Sequence, residues 1–410
     1  MTWNSNKLWP LAIMPVIMYS SLKADSAIIN DEQIAPVSYR SDSADLLAYG
    51  NVATNDKIPA KYQSPPPNTS DENPVFVSTV RTEVQDGVNL YVTADALYWT
   101  AREQMTGYVI ESKDIDFTEG VLAGIRTLGP HAKLKNFATE WNWGYRVGIG
   151  YNFMHDQWDL YFNWTHYQQN TTSRANVKNS EQQFFATWMQ VTENAENAWS
   201  IFPQHAKGKW KLHYNTIDME FGRTFGLGNH LIFRPHLGLR GAIINQDFDI
   251  TYKNLLEIRG RTPFPKAKVD LDNDFWGVGL RGGVKAKWMF SRDWGVFGNF
   301  AGSLLWGRIE NKTKLDQPEG GGIWIDEKHN RQTVKGNLEI ALGLAWDYYF
   351  STAHHQDRYH LGLTLAWEQL VWFHQNEIDY FPTHLITTHS FKQQGNLGLS
   401  GVTLGARFDF

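Results

Sequence analysis

The sequence predicts an all-β fold: a transmembrane, antiparallel, up-and-down β-barrel of about ten strands, with room in its longer connections for one more hairpin and so for twelve. Three observations carry that expectation. Segments with a period of two, apolar on one face and polar on the other, recur along most of the chain. The connections between them alternate between short and long, the asymmetry of short periplasmic turns and long extracellular loops. Aromatic residues reach 14%, with 18 Trp and 17 Tyr, rings that suit a membrane–water boundary because each has an apolar body and a polar tip.

The clearest hairpin runs from Trp141 to Tyr167. Trp141, Trp143, Tyr145, Val147, Ile149, Tyr151 and Phe153 form one face, against Asn142, Gly144, Arg146, Gly148, Gly150 and Asn152. After the polar turn at His155, Asp156 and Gln157 the pattern resumes in a new phase. Trp158, Leu160, Phe162 and Trp164 then oppose Asp159, Tyr161, Asn163 and Thr165.

The start of the chain reads as a secretory signal over residues 1–24. Lys7 supplies the positive region, Leu8 to Tyr19 a short apolar stretch, and Leu22, Lys23 and Ala24 a cleavage site. Residues 25–86 are polar, Pro-rich from Tyr62 to Asn68, with one short helix expected at Ser43 to Tyr49; they read as a periplasmic segment or a lumen plug. Residues 87–410 hold the barrel. No later apolar run approaches the ~20 residues of a spanning helix. With a net charge of -5 and no basic cluster, nucleic acid is excluded as a partner.

The remaining strands follow in order. Val88 to Ala101 is the first, and Lys209 to Phe225 the next after the hairpin, turning at Gly226 to Asn229. Leu231 to Ile243 and Asp274 to Met289 follow. A turn at Ser291 to Asp293 leads to Trp294 to Trp306. Then come Val334 to Tyr349, Tyr359 to Trp367, and Val402 to Phe410. Long loops are expected to begin near Arg102, Gln168, Gln246, Arg308 and Leu370. The last strand, with Phe408 and Phe410 at alternate positions to its end, has the form of an assembly signal for the barrel-assembly machinery.

Asp95 to Trp99 (DALYW) and Trp141 to Tyr151 (WNWGYRVGIGY) resemble the Legionella-type major outer-membrane protein family, which has relatives in environmental chlamydiae. The resemblance extends over Val88 to Phe410. It implies a pore-forming barrel in the outer membrane of a diderm bacterium. Surface proteins of that family often cross-link through Cys. This chain has none, so a disulfide-linked network is not expected.

The polar face yields the candidate lumen lining: Arg146, Arg234, His236, Arg240, Arg281, Lys285, Lys287, Lys335 and Arg407, with Asp159, Asp218, Glu220, Glu339, Asp347 and Glu368. Such charges either select solutes or pair across a narrow barrel to stiffen it. Basic residues on neighbouring strands suggest slight anion preference. Gly277 to Gly282 matches a dinucleotide motif, but it lies inside a strand and is read as barrel wall. His354 and His355, with His360 nearby, read as a solvated turn; no metal, cofactor or catalytic residue is expected. The first functional expectation is a porin-like passive channel for small hydrophilic solutes. The second is a closed-lumen surface or adhesion barrel acting through its loops, with Gly320 to Gly322 and Trp372 to His374 facing outward. A hydrolase with a carboxylate–His site at the outer rim is a third. Membrane lipid and lipopolysaccharide are the expected surroundings, and the sequence leaves room for a homo-oligomer and a host-surface ligand.

Overall fold

The computed structural model describes residues 89–112, 115–117, 126–128, 131–153, 156–178, 182–189, 202–255, 265–317, 322–351, 358–380 and 391–410. The signal segment, residues 25–86 with their short helix, the His354–His355 turn and Gly320–Gly321 lie outside them. The described residues form sixteen strands: β1 (Leu90–Glu103), β2 (Val109–Ser112), β3 (Ile115–Phe117), β4 (Arg126–Leu128), β5 (Lys133–Lys135), β6 (Trp141–Asn152), β7 (Trp158–Asn176), β8 (Gln183–Ala186), β9 (Pro203–Arg223), β10 (Phe225–Leu227), β11 (Leu231–Leu255), β12 (Lys266–Met289), β13 (Trp294–Gln317), β14 (Gly322–Ser351), β15 (Arg358–Tyr380) and β16 (Phe391–Asp409).

Ten of them close a barrel in the order β1, β6, β7, β9, β11, β12, β13, β14, β15, β16, with β10 as a short extra strand on β11. Closure is made by β1 against β16, from Tyr91 opposite Asp409 to Glu103 opposite Leu397. In hydrocarbon an open sheet edge would leave backbone groups unpaired, so this seam is what lets the sheet enter a membrane.

Outward side chains form an apolar band. Leu280, Leu304 and Leu342 each remain at least 64% exposed, which in water would be a large adhesive patch. Trp276 and Trp288 bound the band on β12, Trp306 and Trp294 on β13. Each interval is about 40 Å of strand, which a ~40° tilt shortens to about 30 Å, the thickness of a bilayer core.

Beyond Trp276 and Trp306 the strands continue, and the chemistry of the two faces is exchanged. Inward side chains become apolar: Ile244, Phe248, Ile250 and Tyr252 on β11, and Phe275, Leu271 and Val269 on β12, are all buried in one cluster. Outward positions become charged, as in Lys211 beside Asp247 and Asp249, and Lys268 beside Asp270. The loop expected near Arg102 starts there, β1 ending at Glu103, whereas those expected near Gln168, Gln246, Arg308 and Leu370 start later, since pairing runs on to Asn176, Leu255, Gln317 and Tyr380. A barrel outside lipid behaves as a water-soluble one, with its apolar side turned in.

Over the mouth, β2 pairs with β5 and β8, and Tyr108, Val109, Phe184, Trp188 and Met189 join the same apolar cluster. Phe137 lies 5.5 Å from both Tyr108 and Phe248, and the Tyr252 hydroxyl donates to the Tyr108 carbonyl at 2.5 Å.

Strand contact is closest at inward glycines. A Cβ at Gly279, within the Gly277–Gly282 run of β12, would overlap the Leu304 carbonyl oxygen of β13. Gly279→Val is expected to cost about 1–3 kcal/mol through overpacking, read as a lower unfolding temperature of the detergent-solubilised barrel. An unchanged temperature would show that the strands separate freely there.

Candidate functional site: the lumen

Thirteen of the fifteen charged residues expected in the lumen line one cavity of about 390 Å³ at membrane height; His236 and Lys335 do not. His236 is buried beside it, its Nε2 3.7 Å from Glu220. Lys335 lies nearer the outer side, where its ammonium reaches Glu377 at 2.8 Å and the His374 carbonyl.

Every cation lining the cavity is paired. Arg146 on β6 reaches Glu368 on β15 at 2.9 Å and Asp95 on β1 at 3.2 Å. Arg234 grips Asp159 by two hydrogen bonds, at 2.8 and 2.5 Å, and touches Glu220 at 3.1 Å. Arg240 holds both oxygens of Asp218 at 2.6 Å and reaches across two strands to Glu339. Arg281 joins the same group, 2.7 Å from Glu339. Lys285 pairs with Glu220 at 3.1 Å, Lys287 with Asp347, and Arg407 with Asp409 at 2.6 Å. Planar guanidinium forks explain why Arg240 and Arg281 are the most buried cations of this cavity.

Asp95 was missing from the expected set although it shares the inward face with Thr93. With it, Arg146, Arg234, Arg240, Arg281, Lys285, Lys287 and Arg407 face Asp95, Asp159, Asp218, Glu220, Glu339, Asp347 and Glu368, seven against seven. The basic excess behind the expected anion preference is thus absent from this cavity. At the inner end His360 is buried, not solvated: Nδ1 is 2.7 Å from Asp409 and Nε2 3.0 Å from Asp347.

Outside the cavity the lumen is filled. Trp99, Tyr167, Tyr214, Ile244, Phe275, Leu305, Trp372 and Leu399 are at most 1% exposed and come from eight of the ten barrel strands. Trp372, expected on an external loop, points to the axis. Its ring is 6.1 Å from Tyr214 on β9, the strand diametrically opposite β15, and 6.5 Å from Phe275. Just beyond Trp372 the β15–β16 register slips before Asn376, and His374 has a φ of 52°.

Past this layer Gln246, Asn273 and Asn311 stand side by side on β11, β12 and β13. Both side-chain atoms of Asn273, and both Glu103 oxygens, are buried with no hydrogen-bond partner. No sequence signal separates these amides from ordinary strand residues. Their inward alternation with Ile244, Phe248 and Phe275 was available, but it needed the strands to be followed past the membrane band.

A closed antiparallel barrel with an apolar outer belt, aromatic borders and a charged interior defines an outer-membrane β-barrel protein. The sequence matches the family model of the Legionella pneumophila major outer membrane protein precursor over residues 87–410, and the chain belongs to that family. The barrel sits in the outer membrane. Solved structures with a similar course include the outer membrane protease OmpT of Escherichia coli (12% identity, TM-score 0.38, 81% of this chain and 100% of that one). The Pseudomonas putida toluene transporter TodX (9%, 0.30, 78% and 89%) and a Pseudomonas aeruginosa FadL homologue (8%, 0.25, 78% and 90%) are two more. Comparison with curated proteins returns no match.

Replacing Arg240 by Met leaves Asp218 and Glu339 without their shared cation. The expected loss is about 3–5 kcal/mol, as for other broken buried pairs, measured as a lower urea midpoint for refolding into detergent. An unchanged midpoint would mean that water already screens this group.

Proposed function

We propose that the chain is a passive outer-membrane channel for small hydrophilic solutes, without catalytic function, whose resting state is closed on the outer side by an apolar cluster that begins at Trp372, Tyr214 and Phe275. The observation that carries this reading is the cavity of about 390 Å³ at membrane height, walled by charged side chains. That volume holds roughly ten or more waters. A barrel built only to be filled has no need of it.

Trp372 meets the rings of Tyr214 at 6.1 Å and Phe275 at 6.5 Å. The β15–β16 register slips directly after Trp372, and side chains take over from the ladder there: the His374 N–H donates to Asn396 Oδ1 at 2.9 Å and its carbonyl accepts from Lys335.

A second reading, a barrel that never conducts and acts through its external surface, is favoured by the near-zero exposure of the same cluster. Single-channel recording in planar bilayers separates the two. For the channel, rare low-conductance openings are expected from the native protein and long, larger openings from Trp372→Ala. Under a salt gradient the seven-to-seven lining predicts a reversal potential near zero. Silence from both proteins, with folding verified by heat-modifiability, would establish the second reading.

A further inference from the structure

The outer wall at the seam carries a second cavity, unrelated to the lumen. Tyr98, Val402 and Trp367 lie side by side on β1, β16 and β15. They belong to the aromatic border: Trp141 stacks on Tyr98 at 5.3 Å and meets Trp367 at 6.0 Å. One row outward stand Thr100, Ser400 and Gln369, and above them Arg102, Gly398 and Val371. The middle strand thus offers small residues between longer flanks. The result is a basin of about 360 Å³, lined by Thr100, Arg102, Gln104, Gln369, Asn396 and Ser400.

Two features mark it as more than a surface dimple. A Cβ on Gly398 would find its nearest neighbour at 3.9 Å, so the floor is open. The Thr100 hydroxyl is enclosed there and has no hydrogen-bond partner.

We propose that this basin binds the saccharide headgroup of lipopolysaccharide, with Arg102 taking an anionic substituent on the sugar. Hydroxyls and amides both donate and accept, which matches the alternating demands of sugar hydroxyls. A guanidinium pairs with phosphate or carboxylate through two parallel hydrogen bonds. Continuity with the lipid-facing aromatic border fixes the occupant as a membrane component. Height selects among such components. Three same-face rows above Tyr98 and Trp367 rise roughly 15 Å after allowing for strand tilt, whereas a phospholipid headgroup layer is only about 5–8 Å thick. Only a tall, sugar-built head fills that depth. The inference rests on the barrel's place in the outer membrane and not on whether its lumen conducts.

The test uses the full-length protein in nanodiscs of phospholipid alone or phospholipid with lipopolysaccharide, read by thermal unfolding and by native mass spectrometry. Lipopolysaccharide is expected to raise the native midpoint and to remain bound. Arg102→Ala and Gly398→Trp, the latter filling the open floor, are expected to lose most of that increment while matching the native midpoint in phospholipid. Gln369→Ala serves in place of either variant that fails to insert. Equal increments in native and variant proteins would overturn the proposal. So would the full increment from inorganic phosphate in phospholipid nanodiscs, which would make Arg102 a simple anion site.

Discussion

Everything in this molecule depends on one accounting constraint: within hydrocarbon no backbone N–H or C=O can be left without a partner. The chain meets it through the pairing of β1 with β16, residues far apart in sequence brought together over the full length of β1. Once that seam closes, the inside and outside of every strand are fixed, because a slip of one residue would turn the whole apolar band inward. Glycines such as Gly279 belong to the same constraint. Their missing Cβ lets neighbouring backbones approach closely.

The same strands serve two solvents. Inside the membrane the oily face is outward and the lumen is charged. Past Trp276 and Trp306 the backbone keeps its phase, yet Phe275, Leu271 and Val269 now sit inward and Lys268 and Asp270 outward. The exchange happens without a bulge on β12, since alternation alone decides which side chain meets which surroundings. Aromatic borders mark the level at which the two codes meet, and the basin beside Arg102 rises outward from that level.

This explains what was legible in the sequence. Seven odd-numbered apolar residues from Trp141 to Phe153 declare a lipid-facing strand without ambiguity, and the barrel, its strand number and its membrane followed from such stretches. Thirteen of the charged positions could be placed in the lumen because they fall on the opposite face of the same stretches. What escaped was the outer half. The run from Gln246 to Leu255 alternates as regularly as any, but with its apolar residues on the face that lower down is polar, so it resembled a loop. Trp372 was misplaced for a related reason: an aromatic just past the border looks like part of an external loop until its strand is followed further. Pairing of charges was beyond reach altogether. Arg240 and Glu339 meet only because barrel closure brings β11 and β14 within one Arg side chain of each other.

The lumen combines two materials that water treats in opposite ways. Below, fourteen charges in seven-to-seven balance hold a wet space whose net field is small, so a polar solute pays little to replace water there. Above, the lumen is packed with apolar side chains, from Trp372, Tyr214 and Phe275 outward to Phe248, Ile250 and Tyr252, at a density that leaves no room for water. Among them the unpartnered amide of Asn273 is a local cost, because each buried orphan costs about 1–3 kcal/mol. A barrel meant only as a rigid post would be more stable with that amide replaced by an apolar residue. Polar groups therefore stand both below and above the aromatic contacts of Trp372, in a lumen that apolar side chains otherwise fill, so the charged cavity is sealed from the outer side by packing rather than by charge.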